Sequence, residues 1–254
     1  MKLQGKTALV TGAVGGLGED IIMTFVREGA KVGINYMLDE DKTRAEAMVK
    51  KIKDNGGEAV ALQADITNPE EVKRMLDRFV DMFGKVDVLV NNAGISARAN
   101  CVDMELELWK KIINVNLTGV FIVTKEVLKH MLKKNSGRII NIASQRGQKG
   151  SPQVTAYSAS KGGVIAFTRA LAVELGALGM KTNILVNCVA PGPIDCGLNK
   201  NMSPERREQQ RKDLPLGRFG LANEVSSAVL FLACDDSSLF IGQTLSPNSG
   251  DTML

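Results

Sequence analysis

Short apolar runs alternate with amphipathic stretches along almost the whole chain. Thr7–Thr11, Lys31–Asn35, Ala59–Gln63, Val86–Val90, Arg138–Ala143 and Leu185–Ala190 each read as a buried strand. Between them apolar positions recur at helical spacing, first near Leu17–Arg27 and later over long spans around Glu105–Lys134 and Thr155–Leu178. Strands apolar on both faces and separated by helices predict a parallel sheet covered on both sides, the doubly wound α/β architecture. No internal repeat, low-complexity tract or Pro/Ser-rich linker interrupts the pattern, so one domain is expected over residues 1–254. The least regular stretch, Pro191–Pro215, is polar and too long for an ordinary connection, which marks it as a substrate loop.

Composition narrows the classes. Of the 254 residues 44% are hydrophobic, 24% charged and 4% aromatic, a globular balance that excludes disorder and a disulfide scaffold. No apolar run approaches the ~20 residues needed to span a bilayer. The chain runs from Met1 almost directly into a strand, so the expectation is a cytoplasmic protein without a leader or a membrane partner. Its formal charge of +4 is spread along the chain, without the basic clusters of a nucleic-acid binder. Cys101, Cys188, Cys196 and Cys234 have no metal-ligand or redox spacing, and His130 is the lone histidine. A zinc site and a Ser-His-Asp triad are therefore not expected, and acid–base chemistry must come from another residue type.

Two local patterns carry chemistry. Thr11-Gly12-Ala13-Val14-Gly15-Gly16-Leu17-Gly18 lies between the first strand and the first helix, where glycines let backbone amides approach a pyrophosphate and a helix N-terminus adds positive potential. Tyr157 and Lys161 are four residues apart and share a helix face. A phenol ionises near pH ~10, and a neighbouring ammonium favours its anion, which would suit it to exchange a proton with an alcohol or ketone.

These residues, with Asn91-Asn92-Ala93-Gly94, Ser144 and Pro191-Gly192, resemble the short-chain dehydrogenase/reductase family, in order and over essentially the full length. The resemblance implies a Rossmann-type fold with a seven-stranded parallel sheet, a nicotinamide cofactor and a homotetramer. It implies that Tyr157 is the acid and base, that Lys161 lowers its pKa and holds the nicotinamide ribose, and that Ser144 binds the substrate oxygen. Asn116 would anchor a relay water, with Asn114 structural. The cofactor would lie against Thr11, Gly12, Gly16, Leu17, Gly18, Tyr36, Asp65, Ile66, Asn92, Ala93, Gly94, Pro191, Gly192 and Ile194. Asp65 reads equally well as the approach to a helix N-cap before Thr67-Asn68-Pro69. The acid that selects NAD(H) at the end of the second strand is missing, because Tyr36 stands there. NADP(H) is therefore favoured, with NAD(H) as the alternative.

Within the family the chain is most similar to 3-oxoacyl-[acyl-carrier-protein] reductases and nearby polyol and sugar dehydrogenases. It departs from the family pattern at Cys196, where threonine is usual, in a long stretch over Met180–Val186, and at Pro247-Asn248-Ser249-Gly250. Asn135 and Leu178 stand where carrier-protein reductases place arginines. The expected substrate is accordingly a small polar or anionic molecule met by Arg98, Gln145 and Arg146. Carrier-protein reduction is the alternative, and a silent nucleotide-binding regulator a remote one.

Overall fold

A computed structural model describes residues 1–177, 182–197 and 202–253. Seven strands, β1 (Thr7–Val10), β2 (Lys31–Tyr36), β3 (Ala59–Gln63), β4 (Val88–Asn91), β5 (Gly137–Ile142), β6 (Ile184–Val189) and β7 (Thr244–Leu245), form one sheet in the order β3-β2-β1-β4-β5-β6-β7, every pair parallel. Each predicted strand is present, β3 with the bounds read from the sequence and the others with one or both ends shifted by a residue or two. The seventh is only two residues long, too short to leave a periodic signal in the sequence.

The helices are α1 (Gly16–Arg27), α2 (Lys42–Asp54), α3 (Pro69–Phe83), α4 (Leu106–Ile113), α5 (Gly119–Lys134), α6 (Thr155–Ala177), α7 (Pro204–Lys212) and α8 (Ala222–Ala233). Successive strand residues point to opposite faces, and the core divides accordingly. Ala8, Val10, Ile34, Val88, Val90, Ile140 and Ile142 pack with α1, α2 and α8 on one side. Leu9, Leu62, Leu89, Ile139 and Val186 pack with α3, α5 and α6 on the other. Phe25 and Phe79, fully buried, anchor the two layers.

The span read as one helix over Glu105–Lys134 is two helices joined by a π turn at Asn114–Thr118, where the Gly119 N–H reaches back to the Asn114 carbonyl. Side-chain periodicity changes little across such a turn, so the sequence did not announce it. Pro191–Pro215 also holds more order than its composition suggested. Ser203 caps α7 by accepting the Arg206 N–H, and Pro204 fills its first turn. Leu178, Met180 and Lys181 lie outside the described residues. No helix among those described is long and apolar enough to cross a membrane.

From β1 the chain steps outward through β2 to β3, then crosses to the other side of β1 for β4. The reversal opens a crevice at the carboxyl ends of β1 and β4. Asn35 holds one wall of it. Its Oδ1 accepts the Gly12 N–H at 3.1 Å, and its Nδ2 faces the carbonyls of Tyr36, Leu62 and Ala64 at 3.1–3.3 Å. Asn35 is 2% exposed, so these groups have no water to fall back on. Asn35→Leu is therefore expected to destabilise the protein by about 1–3 kcal/mol, read from denaturant unfolding. An unchanged midpoint would contradict this role.

Candidate active site

The carboxyl ends of β1, β4, β5 and β6 open into one cleft of about 980 Å³. At one end lies the glycine turn. Thr11, buried beneath it, accepts the N–H groups of Asn92 and Ala93 on its hydroxyl at 3.0 and 3.1 Å. Asn92 returns its side-chain amide to the carbonyls of Thr11 and Gly12 at 3.0 and 2.8 Å. A methyl group on Gly12 would lie 2.8 Å from the Ala93 Cα, and one on Gly18 would lie 2.4 Å from the Gly12 carbonyl. Only glycine fits there, and the turn pulls close under the cleft floor. Gly15, at φ 90°, caps α1 with no side chain, which leaves the first amides of a 12-residue helix open towards the cleft. The cradle thus fits a dinucleotide pyrophosphate by its shape and its donors.

Gly16 and Leu17 belong to this floor, and Tyr36, Asp65 and Ile66 form the wall at the ends of β2 and β3. The helix-approach reading of Asp65 is seen directly. The residue lines the cleft, while one carboxylate oxygen accepts both the N–H and the hydroxyl of Thr67 at 2.8 Å and shapes the approach to α3, whose N-cap is Asn68.

At the other end, β5 delivers Ser144 and α6 delivers Tyr157 and Lys161 to the same wall. Ser144 is held by the Arg146 N–H on its hydroxyl at 3.1 Å, and the Gln145 N–H ties this turn to the Pro191 carbonyl after β6 at 3.0 Å. Lys161, 3% exposed, donates to the Ile142 carbonyl at 2.7 Å, and its ammonium stands 5.9 Å from the Tyr157 ring centre. Burial pulls the Lys161 ammonium down to about 8. Desolvation pushes the Tyr157 phenol up, against which the Ser144 hydrogen bond and then the Arg146 charge draw it down. Desolvation is the largest of these influences, so the phenol stands above its ordinary value.

Asn116 sits in the π turn, fully buried. Its Oδ1 accepts the Ile95 N–H at 2.8 Å, and its Nδ2 donates to the Ile95 carbonyl and to the Ser160 hydroxyl at 2.9 and 3.0 Å. Ser160 in turn donates to the Tyr157 carbonyl at 2.7 Å, so the Asn116 side chain joins the loop after β4 to α6 at Tyr157. Gly94 fits beside it because a methyl there would press on Asn116 and Lys161 at 3.2 and 3.4 Å. Pro191, Gly192 and Ile194 line the cleft from the β6 side, and Cys196 continues that wall.

The residues expected to meet substrate fare differently. Arg146 lines the cleft and forms no ion pair with a described residue. Arg98 also lines it but is exposed, and it leans on the Gln153 side chain and the Pro152 carbonyl at 3.3 and 3.4 Å. Gln145 is 2% exposed and turns its amide away, to the Asp251 carboxylate, which also binds Lys149. Arg206 and Gln210 of α7, which line the cleft, fall within the stretch Pro191–Pro215 read as a substrate loop, though the sequence did not single them out. No spacing signal could place them there, because the chain reaches them only after reversing beyond β6. Among the described residues no group of three or more His, Cys, Asp or Glu is placed to hold a metal.

Comparison with known proteins agrees with this geometry. Residues 6–207 match the short chain dehydrogenase family. A 3-oxoacyl-[acyl-carrier-protein] reductase from Synechocystis is 43% identical over 252 residues, covering 99% of this chain and 98% of that one. The reductase of the same name from Thermotoga maritima is 40% identical over 250 residues, covering 98% and 99%. A crystal structure from Agrobacterium tumefaciens, of a candidate gluconate dehydrogenase, superposes with a TM-score of 0.92 at 31% identity, over 100% of this chain and 98% of that one. The sheet order, the glycine cradle and the full-length likeness together place this chain in the short-chain dehydrogenase/reductase family, as an oxidoreductase.

Proposed function

We propose that the protein reduces the ketone of a 3-oxoacyl thioester with NADPH, and runs the reverse oxidation when the alcohol is supplied. The observation that carries the reaction class is that Ser144, Tyr157 and Lys161 share one wall of the cleft whose floor is the glycine cradle. The nicotinamide, when bound, supplies or accepts the hydride. Ser144 donates from its hydroxyl to the substrate oxygen and stabilises the charge that develops there. Tyr157 gives that oxygen its proton in reduction and takes it back, as phenolate, in oxidation. Lys161 holds the ribose hydroxyls, and Asn116 keeps the loop after β4 in register with α6. The floor residues Gly12, Gly16, Leu17 and Gly18 hold the pyrophosphate. Asn92, Ala93, Gly94, Pro191, Gly192 and Ile194 shape the nicotinamide half.

For the substrate, the supporting observation is likeness over nearly the full length to reductases named for 3-oxoacyl groups. A second reading, a small polar or anionic hydroxy compound, draws on Arg146, which lines the cleft, and on the neighbour described as a candidate gluconate dehydrogenase. The carrier protein itself gains no support from Asn135, at the C-terminus of α5, and Leu178 lies outside the described residues. A homotetramer is also proposed, on the exposed apolar side chains of Phe121 on α5 and Val173 on α6.

Nicotinamide absorbance followed with acetoacetyl thioester and with a panel of oxo acids and keto sugars tests the substrate. Oxidation of NADPH by the thioester is expected. Silence there with turnover of a sugar acid would move the assignment to the second reading. Silence throughout, with nucleotide binding intact, would contradict catalysis.

Electrostatics gives a separate expectation. The chain has two tyrosines, so in a Tyr36→Phe background ultraviolet difference spectra report Tyr157 alone. Adding Arg146→Gln removes a charge that draws the phenol down, so its titration midpoint is expected to rise. The alkaline limb of the reduction rate, which needs the protonated phenol, should move to higher pH with it. An unmoved midpoint would contradict the role given to Arg146.

A further inference from the structure

α2 begins a short turn after β2, and Arg44 lies in its first turn. From there the guanidinium reaches back over the glycine turn. A methyl on Gly15 would sit 2.9 Å from Nη1 and 3.1 Å from Nη2. Nη2 donates to the Glu19 carboxylate of α1 at 2.7 Å. Arg44 also lines the cleft, together with Tyr36, Met37 and Leu38 at the end of β2. A planar cation therefore spans the gap between the glycine turn and the end of the second strand. The residues at that strand end are neutral.

We infer that Arg44 selects the cofactor by taking the ribose 2′-phosphate of NADP(H), and that Glu19 holds the guanidinium in place and competes with the phosphate for it. The inference rests on the nucleotide reading above and names the residue that makes it specific. In this fold the end of the second strand faces the adenine ribose. An acid there accepts from a free 2′-hydroxyl, whereas a nearby arginine accommodates a phosphate. The guanidinium fork can give two parallel N–H bonds to one phosphate. Its present partner is easily displaced. The Arg44 and Glu19 side chains are 56% and 38% exposed, and an ion pair so wet is weak.

The other charged groups nearby sharpen the point. Asp41 lines the same wall and would repel a phosphate. Asp39 is engaged by the Gln63 amide at 2.7 Å. Without Arg44 the charged side chain on this wall would be Asp41, which would suit the free 2′-hydroxyl of NADH. The preference between the two cofactors is thus set by one cation that bridges two helices.

The test measures dissociation constants of NADPH and NADH by nicotinamide fluorescence on the intact protein, with no substrate present. Arg44→Gln is expected to weaken NADPH about 10- to 100-fold and to change NADH by no more than about twofold. Arg44→Lys should recover part of the loss, because it keeps the charge without the fork. Glu19→Gln should tighten NADPH, by freeing the guanidinium, and leave NADH unchanged. Equal weakening of both cofactors by Arg44→Gln would show that the side chain only braces the glycine turn, and would overturn the inference. Unchanged NADPH binding would also overturn it. Failure of the unmodified protein to bind either dinucleotide would remove the nucleotide reading itself, a result distinct from a loss of selectivity.

Discussion

The ends of β1 and β4 are held together by side chains rather than by the sheet alone, and every functional feature of the cleft hangs on that join. Thr11 accepts two amides from the far side of the gap, while Asn92 gives its own amide to two carbonyls on the near side. The crossing reverses the sheet and leaves a crevice, but a crevice alone binds nothing. The join, with Asn35 fixing the Gly12 N–H, turns it into a rigid cradle whose open amides point one way. Gly12 and Gly18 are required because the backbone segments so joined leave no room for a Cβ.

At the other end of the cleft the same logic operates with charge. Lys161 donates to the Ile142 carbonyl, which supports an ammonium cut off from solvent, while burial draws its pKa down to about 8. The phenol beside it feels opposing influences, with desolvation raising it and Ser144 and Arg146 lowering it. That balance depends on the turn after β5, whose shape is fixed from behind. Gln145 and Lys149 both bind Asp251, so the far C-terminal segment braces the loop that presents Ser144 and Arg146. The π turn at Asn114–Thr118 contributes in the same way, by turning Asn116 inward to tie the loop after β4 to α6.

What the sequence revealed follows from range. The strands were legible because a buried parallel strand is a short apolar run, and the glycine turn because its chemistry lies within eight consecutive residues. Tyr157 and Lys161 were legible because one helical turn sets their spacing. The place of Arg44 was not legible, since its reach over Gly15 depends on how α2 packs beside α1. Arg206 was legible only as part of the Pro191–Pro215 loop, not as a side chain at the cleft. Gln145 lines the cleft, yet the partner of its amide, Asp251, is 106 residues away and left no local signal. The seventh strand came only from the family resemblance, since two residues carry no pattern of their own.

The Tyr157 hydroxyl serves the proton transfer, while the glycine cradle and Lys161 serve the dinucleotide, so loss of that hydroxyl should separate catalysis from nucleotide affinity. The most direct measurement compares the unmodified protein with Tyr157→Phe, recording NADPH affinity and the single-turnover rate of hydride transfer to an accepted ketone on the same preparations. Affinity should change by no more than a few-fold and the rate should fall about 10²- to 10⁴-fold, the usual contribution of a positioned proton donor. A Tyr157→Phe protein that transfers hydride at the original rate would contradict that role.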